Sequence, residues 1–518
     1  SVNKSIILQT NNYIVFPFET HNPRLGADLY LSKKTTLSVL GTSVINKFNP
    51  TGSSRTYVVD ENFNPLNNSQ FMNNSRDRWY NYALNAELRT QFDTTGKELT
   101  VSGDYARYWN HTNQAFSTIF YNNEGNTLNQ TYLNGNQNGL LNLFAAKADY
   151  THPLKKDSKF EMGAKSSYVS SDNNVKFYDN INGELFFDTA RSSHFLYSEN
   201  INAAYVNYNK TINKVGLQFG LRAEQTLANG KQLLNDQTFH RSYLQVFPTA
   251  FIEYKLNDKH NFNINLGRRI DRPGYNQMNP FRRLIDATTY SEGNPYLLPQ
   301  LTYNIEFTYS YKNTLLITPG YSISKNNIID ALIQDSQSRK TVQTTVNIDN
   351  FNYYSLNILF TKRFTPWWTT NTSFLSFYNI YKGVINNNVV NNSTPSFSGS
   401  TNNSFAIRDG LSMECGFQYN HKSIYGITTI RSLYNLTLGI QQLFFKKSLT
   451  LTVNVSDLLW TNYPSGVTTF NNVNETWRSK RDTRVVNTTL SYKFGKGKTG
   501  KMRRKTGADE EKQRIQTG

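Results

Sequence analysis

The side chains best suited to chemistry are scattered here, and their spacing decides against most of it. The seven histidines stand at 21, 111, 152, 194, 240, 260 and 421, and none lies three to five residues from another, as a zinc-binding element would place them. Cys415 is the single cysteine, which excludes a disulfide scaffold and any cysteine-based cluster. No HExxH or GxSxG occurs, and no nucleophile stands beside a base. Asp172 and Asp236 sit in polar stretches and read as surface acids. The chain is expected to be no enzyme and to carry no cofactor. Two sets of charged and aromatic residues are left that could hold a ligand or a folded segment. Arg222, Glu224, Glu253 and Glu306 recur on the polar face of alternating segments. Arg269, Arg272, Tyr275 and Tyr290 cluster in one proline-broken stretch.

The segments that must position these residues alternate with period two. Leu217, Phe219, Leu221 and Ala223 interleave with Gln218, Gly220, Arg222 and Glu224; Tyr303, Ile305 and Phe307 interleave with Asn304, Glu306 and Thr308. Each segment is therefore a strand with one apolar and one polar face. Many run ten residues or more, longer than the ~5–6 of an average globular strand and close to the ~9–11 that a tilted membrane strand needs. The only helix-tolerant stretch is Ala508–Arg514.

Short connections alternate with long ones. The short set is Ser32–Lys34, Asp93–Lys97, Pro153–Ser158, Thr211–Asn213, Asn257–His260, Lys312–Thr314, Thr365–Trp367, Arg408–Gly410 and Lys446–Lys447. The long set is Ser43–Arg76, Asn110–Asn138, Asp172–Ser192, Ala228–Arg241, Asp271–Pro299, Asn326–Asn350, Gly383–Asn403 and Trp460–Lys480, with a short break around His421 where a long one was due. Hairpins that end in a cramped compartment on one side and open solution on the other have this form, as transmembrane β-barrels do. A β-sandwich would have shorter strands with loops at both ends. A solenoid would repeat every 20–50 residues.

Composition agrees. The 518 residues are 37% hydrophobic but 14% aromatic, with 33 Tyr and 33 Phe. That is too aromatic for disorder, and no apolar run is long enough for a spanning helix. Tyr80, Tyr105, Trp109, Trp367 and Trp368, at strand ends, suit interfacial girdles. The net charge is +18, yet no basic stripe marks the body, so nucleic acid is not an expected partner. The fold class expected is all-β: a transmembrane antiparallel β-barrel of about 19 strands. Its boundaries are an incomplete loop and strand segment at 1–23, the barrel at 24–494 and a basic, solvated periplasmic tail at 495–518. The first and last strands both descend toward the short turns. An even barrel with both ends periplasmic is then short by an odd number of strands upstream.

The stretch Tyr243–Tyr311 carries a recognisable pattern: Arg269, Arg272 and Pro273, then Asn279–Phe281, then Gly293–Pro299. With Leu443–Asp457 and the closing Val485–Gly497, it resembles the barrel of TonB-dependent outer-membrane receptors of the Bacteroidetes type, the "outer membrane protein beta-barrel family". The resemblance implies a location in the bacterial outer membrane and a 22-stranded barrel around an N-terminal plug domain, preceded by a TonB box. It also implies gated uptake of a small nutrient driven by a TonB-type energy-transducing complex. Nothing in this sequence resembles the plug or the box. A passive channel and a surface adhesion or binding barrel working through its long loops are the rival expectations. Outer-membrane lipid is an expected partner in each. The proline-broken block is expected to pack over the barrel mouth, with Arg269, Arg272, Tyr275 and Tyr290 facing ligand as the sharper alternative. Arg222, Glu224, Glu253 and Glu306 are expected to face the lumen and hold a plug.

Overall fold

The computed structural model describes residues 7–155, 157–234, 236–334, 340–494 and 508–516. Its wall is an antiparallel meander. Arg24–Tyr30 pairs with Thr35–Phe48, and the ladder continues through Pro65–Gln91, Glu98–Tyr121, Thr127–Leu154, Ser158–Ile181, Glu184–Ile212 and Val215–Gln232. Thr238–Asn257, His260–Asp271, Gln300–Tyr311, Leu315–Gln334, Thr341–Thr365 and Trp368–Ile385 follow. Asn388–Arg408, Leu411–Asn420, Leu433–Phe444, Leu449–Ser456 and Val485–Tyr492 close the series. Among the described residues the meander holds about 19 strands, as the alternation predicts, and all nine short turns fall where expected. Asn213, Lys312, Asn313, Gly96 and Gly410 take positive φ there, the conformation that tight hairpin turns demand. The first and last strands of the wall do not pair with each other, so the sheet is open along one seam.

The alternation fixes which face meets lipid. Phe144, Phe219, Leu221, Ile305 and Phe307 are exposed on the outer face, whereas Leu143 and Ala145 on either side of Phe144, and Glu224 on the strand of Leu221, are buried on the inner face. Tyr80 stacks on Trp109 with ring centroids 5.1 Å apart, and Tyr105 packs tilted against Phe144 at 4.8 Å. Trp367, Trp368 and Phe405 stack beside the short turns. These are aromatic groups at two heights.

The long connections differ from expectation. Ser43–Arg76, Asn110–Asn138, Asp172–Ser192, Ala228–Arg241, Asn326–Asn350 and Gly383–Asn403 are mostly ladder and not loop. Strand Glu184–Ile212 has 29 residues, or roughly 95 Å of extended chain. Tilted by ~40°, it rises roughly 70 Å, well above an apolar band ~25 Å tall. Its outward positions change from Val206 and Ala204 to Asn202, Asn200 and Ser198 where it leaves that band. The strand persists because backbone pairing does not need an apolar face once both faces meet water. The break at His421 is also longer than expected. It holds a hairpin, Ser423–Tyr425 with Thr428–Ile430, which pairs with a second hairpin, Ser465–Phe470 with Val473–Arg478. N-terminal to Arg24, Phe18–His21 continues along Thr35–Phe48 and Ile7–Val15 pairs with Thr51–Val59.

Asp271–Pro299 does stay a connection, and it folds inward. Pro273 and Pro280 cannot donate to a ladder. Between them lies the single turn of helix α1, Tyr275–Met278. The Gly274 N–H donates to Gln277 Oε1 at 2.8 Å, and Asn279 turns extended before Pro280, as a residue preceding proline must. Gly293 packs so close that a Cβ would lie 2.2 Å from the Asn279 carbonyl oxygen; glycine alone fits.

Candidate functional site

The inner face of the wall from Glu98–Tyr121 to Val215–Gln232 carries a charged cluster beside an apolar one. Ala106, Leu143, Ala145 and Val169 are buried with Tyr275 and Met278 of α1 and with Ala508. Glu224 Oε2 lies 2.6 Å from Arg272 Nη2, and the same nitrogen donates to Thr226 Oγ1 at 3.0 Å. Arg222 Nε approaches Glu224 Oε1 at 2.5 Å but is too poorly aligned to form a hydrogen bond. Glu199, only 4% exposed, accepts from the Tyr197 hydroxyl at 3.0 Å, the Tyr275 hydroxyl at 3.3 Å and Arg514 Nη1 at 2.5 Å. Arg514 lies over the Tyr275 ring at 4.2 Å and donates through Nε to the Pro273 carbonyl at 3.0 Å.

Arg514 and its neighbours belong to helix α2, Asp509–Gln516, inside the residues expected to form a solvated tail. Instead of meeting bulk water, Glu511 lies buried, 2.9 Å from Lys165 Nζ, and Lys512 Nζ is 3.6 Å from Asp104 Oδ1. The tail residues 495–507, 517 and 518 lie outside the described residues. Burial raises the Tyr275 phenol well above its usual range, opposed by Arg514, so it is a donor at any physiological pH. Burial works to discharge Arg514, but Glu199 outweighs it and holds the guanidinium charged. Burial would also raise Glu510, but Lys165 and Arg222 bring it below the usual carboxylate range.

The expected site residues therefore divide. Arg222, Glu224 and Arg272 meet, and Tyr275 joins them through Glu199. Arg269 lies opposite Thr302 and is exposed. Tyr290, on the short strand Thr289–Glu292, sits under the Arg282 guanidinium at 5.1 Å. Glu253 accepts from Asn261 at 2.9 Å and lies 3.5 Å from Lys255, close to a short turn. Glu306 lies opposite Asn265 and is exposed. Glu199 and Arg514 escaped the sequence reading. Glu199 sits where the apolar Tyr197 and Ile201 face inward and the polar Ser198 and Asn200 face out, the reverse of the pattern inside the apolar band, so alternation gave no reason to place a charge on that face. The available signal for Arg514 was the order of charges in Asp509–Arg514.

The block after α1 is stitched to the wall. Arg241 donates to the Leu297 and Pro295 carbonyls, Asn294 Nδ2 to the Thr345 carbonyl at 3.1 Å, and the Leu298 N–H to Asn347 Oδ1 at 2.8 Å. Near the seam, Asp457 accepts from the Thr461 and Asn462 N–H groups at 2.9 and 3.0 Å and from Thr483 Oγ1 at 2.6 Å. Burial alone would raise its pKa, yet these donors together hold it below the usual carboxylate value. A depressed carboxylate stabilises above its unfolded pKa of about 3.9 and loses that stabilisation as pH falls toward the folded value. We therefore expect the amides of 457–462 to lose protection, relative to their intrinsic exchange rate at each pH, below about pH 4 in hydrogen-exchange mass spectrometry, and Asp457→Asn to show the same low protection at neutral pH. Equal rates for variant and parent at neutral pH would refute it.

Among the described residues no group of three His, Cys, Asp or Glu side chains converges as a metal site. No curated protein matches the chain. Solved structures do. The ferric yersiniabactin uptake receptor FyuA from Yersinia pestis aligns at TM-score 0.55 with 11% identity, over 94% of this chain and 80% of its own. The ferric-catecholate import receptor Fiu from E. coli K12 aligns at TM-score 0.58 with 10% identity, over 95% and 82%. At such identities the likeness is one of fold. The family model for the outer membrane protein beta-barrel family matches residues 90–492. With most of its length matched and its wall built as an outward-apolar meander, the chain belongs to the outer membrane protein beta-barrel family and resides in the bacterial outer membrane.

Proposed function

We propose that this chain forms the barrel of a TonB-dependent-receptor-like transporter that takes up a nutrient by gated entry. The observation that supports this reading is the polypeptide packed on the inner face of the wall at α1 and α2. Glu199, Glu224 and Arg272 are buried against polypeptide folded inside the wall, whereas a passive pore keeps a polar, water-filled interior. A plug segment and an inner-membrane energy-transducing complex are the partners the reading requires. The similar structures named above are receptors for ferric complexes, so a small chelated nutrient is the ligand class proposed. Arg269 and Tyr290 are its proposed contacts, since Arg272 and Tyr275 are engaged in holding the lumen's own structure.

The test is uptake of radiolabelled ferric chelate by cells with and without the gene, in the presence and absence of an uncoupler. Gene-dependent uptake that the uncoupler abolishes supports the proposal. Uptake that survives the uncoupler assigns the chain to passive channels. The projecting hairpins favour one further reading, surface binding. Loss of cell adherence on deleting Asn110–Asn138, with no uptake phenotype for the gene, would establish it in place of transport.

A further inference from the structure

Helix α2 meets the wall with its charges in register. Glu510 and Glu511 at its start face Lys165 and Arg222, with Lys165 Nζ 2.9 Å from Glu511 and Arg222 Nη2 3.5 Å from Glu510. Lys512 and Arg514, further along, face Asp104 and Glu199. Reversing the helix would set acid against acid and base against base. The fit is also apolar: Ala508 is fully buried, and Ile515 packs on the cluster that holds Tyr275 and Met278. Eight residues do not hold a helix alone in water, so docking itself supplies the stability. The acids of the first turn and Arg514 in the last agree with the helix dipole.

Topology allows the approach. Tyr492 pairs with Leu449, beside the short turn that precedes that strand, so the chain leaves the wall at the short-turn end. Residues 495–507 then separate Phe494 from Ala508, and an extended chain of that length reaches roughly 45 Å.

We infer that α2 is an internal ligand of the lumenal wall: a helical peptide with acids first and bases last, recognised by Asp104, Lys165, Glu199 and Arg222. Any other polypeptide that occupies those four residues must displace it. The inference rests on the barrel fold alone and not on transport.

Trypsin reads it directly. The folded full chain in detergent micelles, with its folded state verified by a gel shift on boiling, is digested, and cleavage of the Arg514–Ile515 bond is timed by mass spectrometry. The bond should be cut at least tenfold more slowly than in the boiled chain. Lys165→Glu should remove that protection, and the double variant Lys165→Glu with Glu511→Lys should restore it. Glu511→Lys alone alters no strand of the wall, so its loss of protection is read on a folded barrel even where Lys165→Glu does not fold. Equal cutting in folded and boiled chains would overturn the inference. Protection that survives both single variants would overturn the recognition by charge. Neither readout depends on uptake, so a failed transport proposal leaves this one standing or falling by itself.

Discussion

Arg272→Ala should free the segment 273–299 from the wall without unfolding the barrel. Arg272 bridges Glu224 and Thr226 from the residue before Pro273, and its side chain is nearly enclosed. Removing one partner of a buried ion pair costs about 3–5 kcal/mol, because the other charge is left uncompensated. Arg222 remains near Glu224, but its poor alignment makes it a weak substitute. The loss should appear locally as amide exchange at Met278 and Asn294 faster by roughly two to four orders of magnitude. Trypsin should also gain access to Arg282 and Arg283. Arg272→Lys should recover only part of the protection, since an ammonium on a flexible stem lacks the planar fork. The boiling shift on a gel should persist in both variants, because the ladder bonds are untouched. Exchange at Met278 and Asn294 that matches the parent would show that Arg241 and Asn294 alone hold the segment.

The second large effect lies on the other face. Leu221 is exposed to lipid and sits opposite Val206 and Pro248 in the ladder, several residues above the short turn at Asn213. Leu221→Arg should cost about 2–4 kcal/mol, the expense of an arginine near the bilayer midplane. Gln218→Arg, three residues away on the inner face, should cost under about 1 kcal/mol because it meets the lumen. Urea unfolding in lipid vesicles measures both. Equal costs would contradict the assignment of inner and outer faces, and with it every lumenal placement described above.

The sequence was most legible where lipid enforces contrast. Over residues 215–223 and in Gln300–Tyr311 every second residue is apolar, and the assignment of faces follows from that alone. Above the membrane the contrast fades. Residues 134–138 (Asn-Gly-Asn-Gln-Asn) are polar on both faces and composed like a loop, but they lie in the ladder. Period-two reasoning has no purchase there, because pairing between backbones leaves no mark on side-chain polarity. The site shows the same division. Arg222 and Glu224 were legible as polar-face residues because Leu221 and Ala223 flank them. Their partner Arg272 was noticed only within a proline-rich pattern. Glu199 and Arg514 meet across 315 residues of sequence, a separation that no local periodicity reports. The tail was read as solvated from its charge content, but it was the order of those charges that mattered.

The height of the hairpins has a consequence for any molecule that meets the outer rim. Glu184–Ile212 and its neighbours carry ladder bonds far beyond the apolar band, so the outer rim is a continuation of the sheet. A floppy rim would have to freeze its loops around each arriving molecule and lose the corresponding entropy. A rim already ordered by its own amides loses little of that freedom on contact. Its selectivity then resides in a fixed relief of Asn, Ser and Thr side chains, which mutation can recontour one residue at a time without disturbing the scaffold beneath.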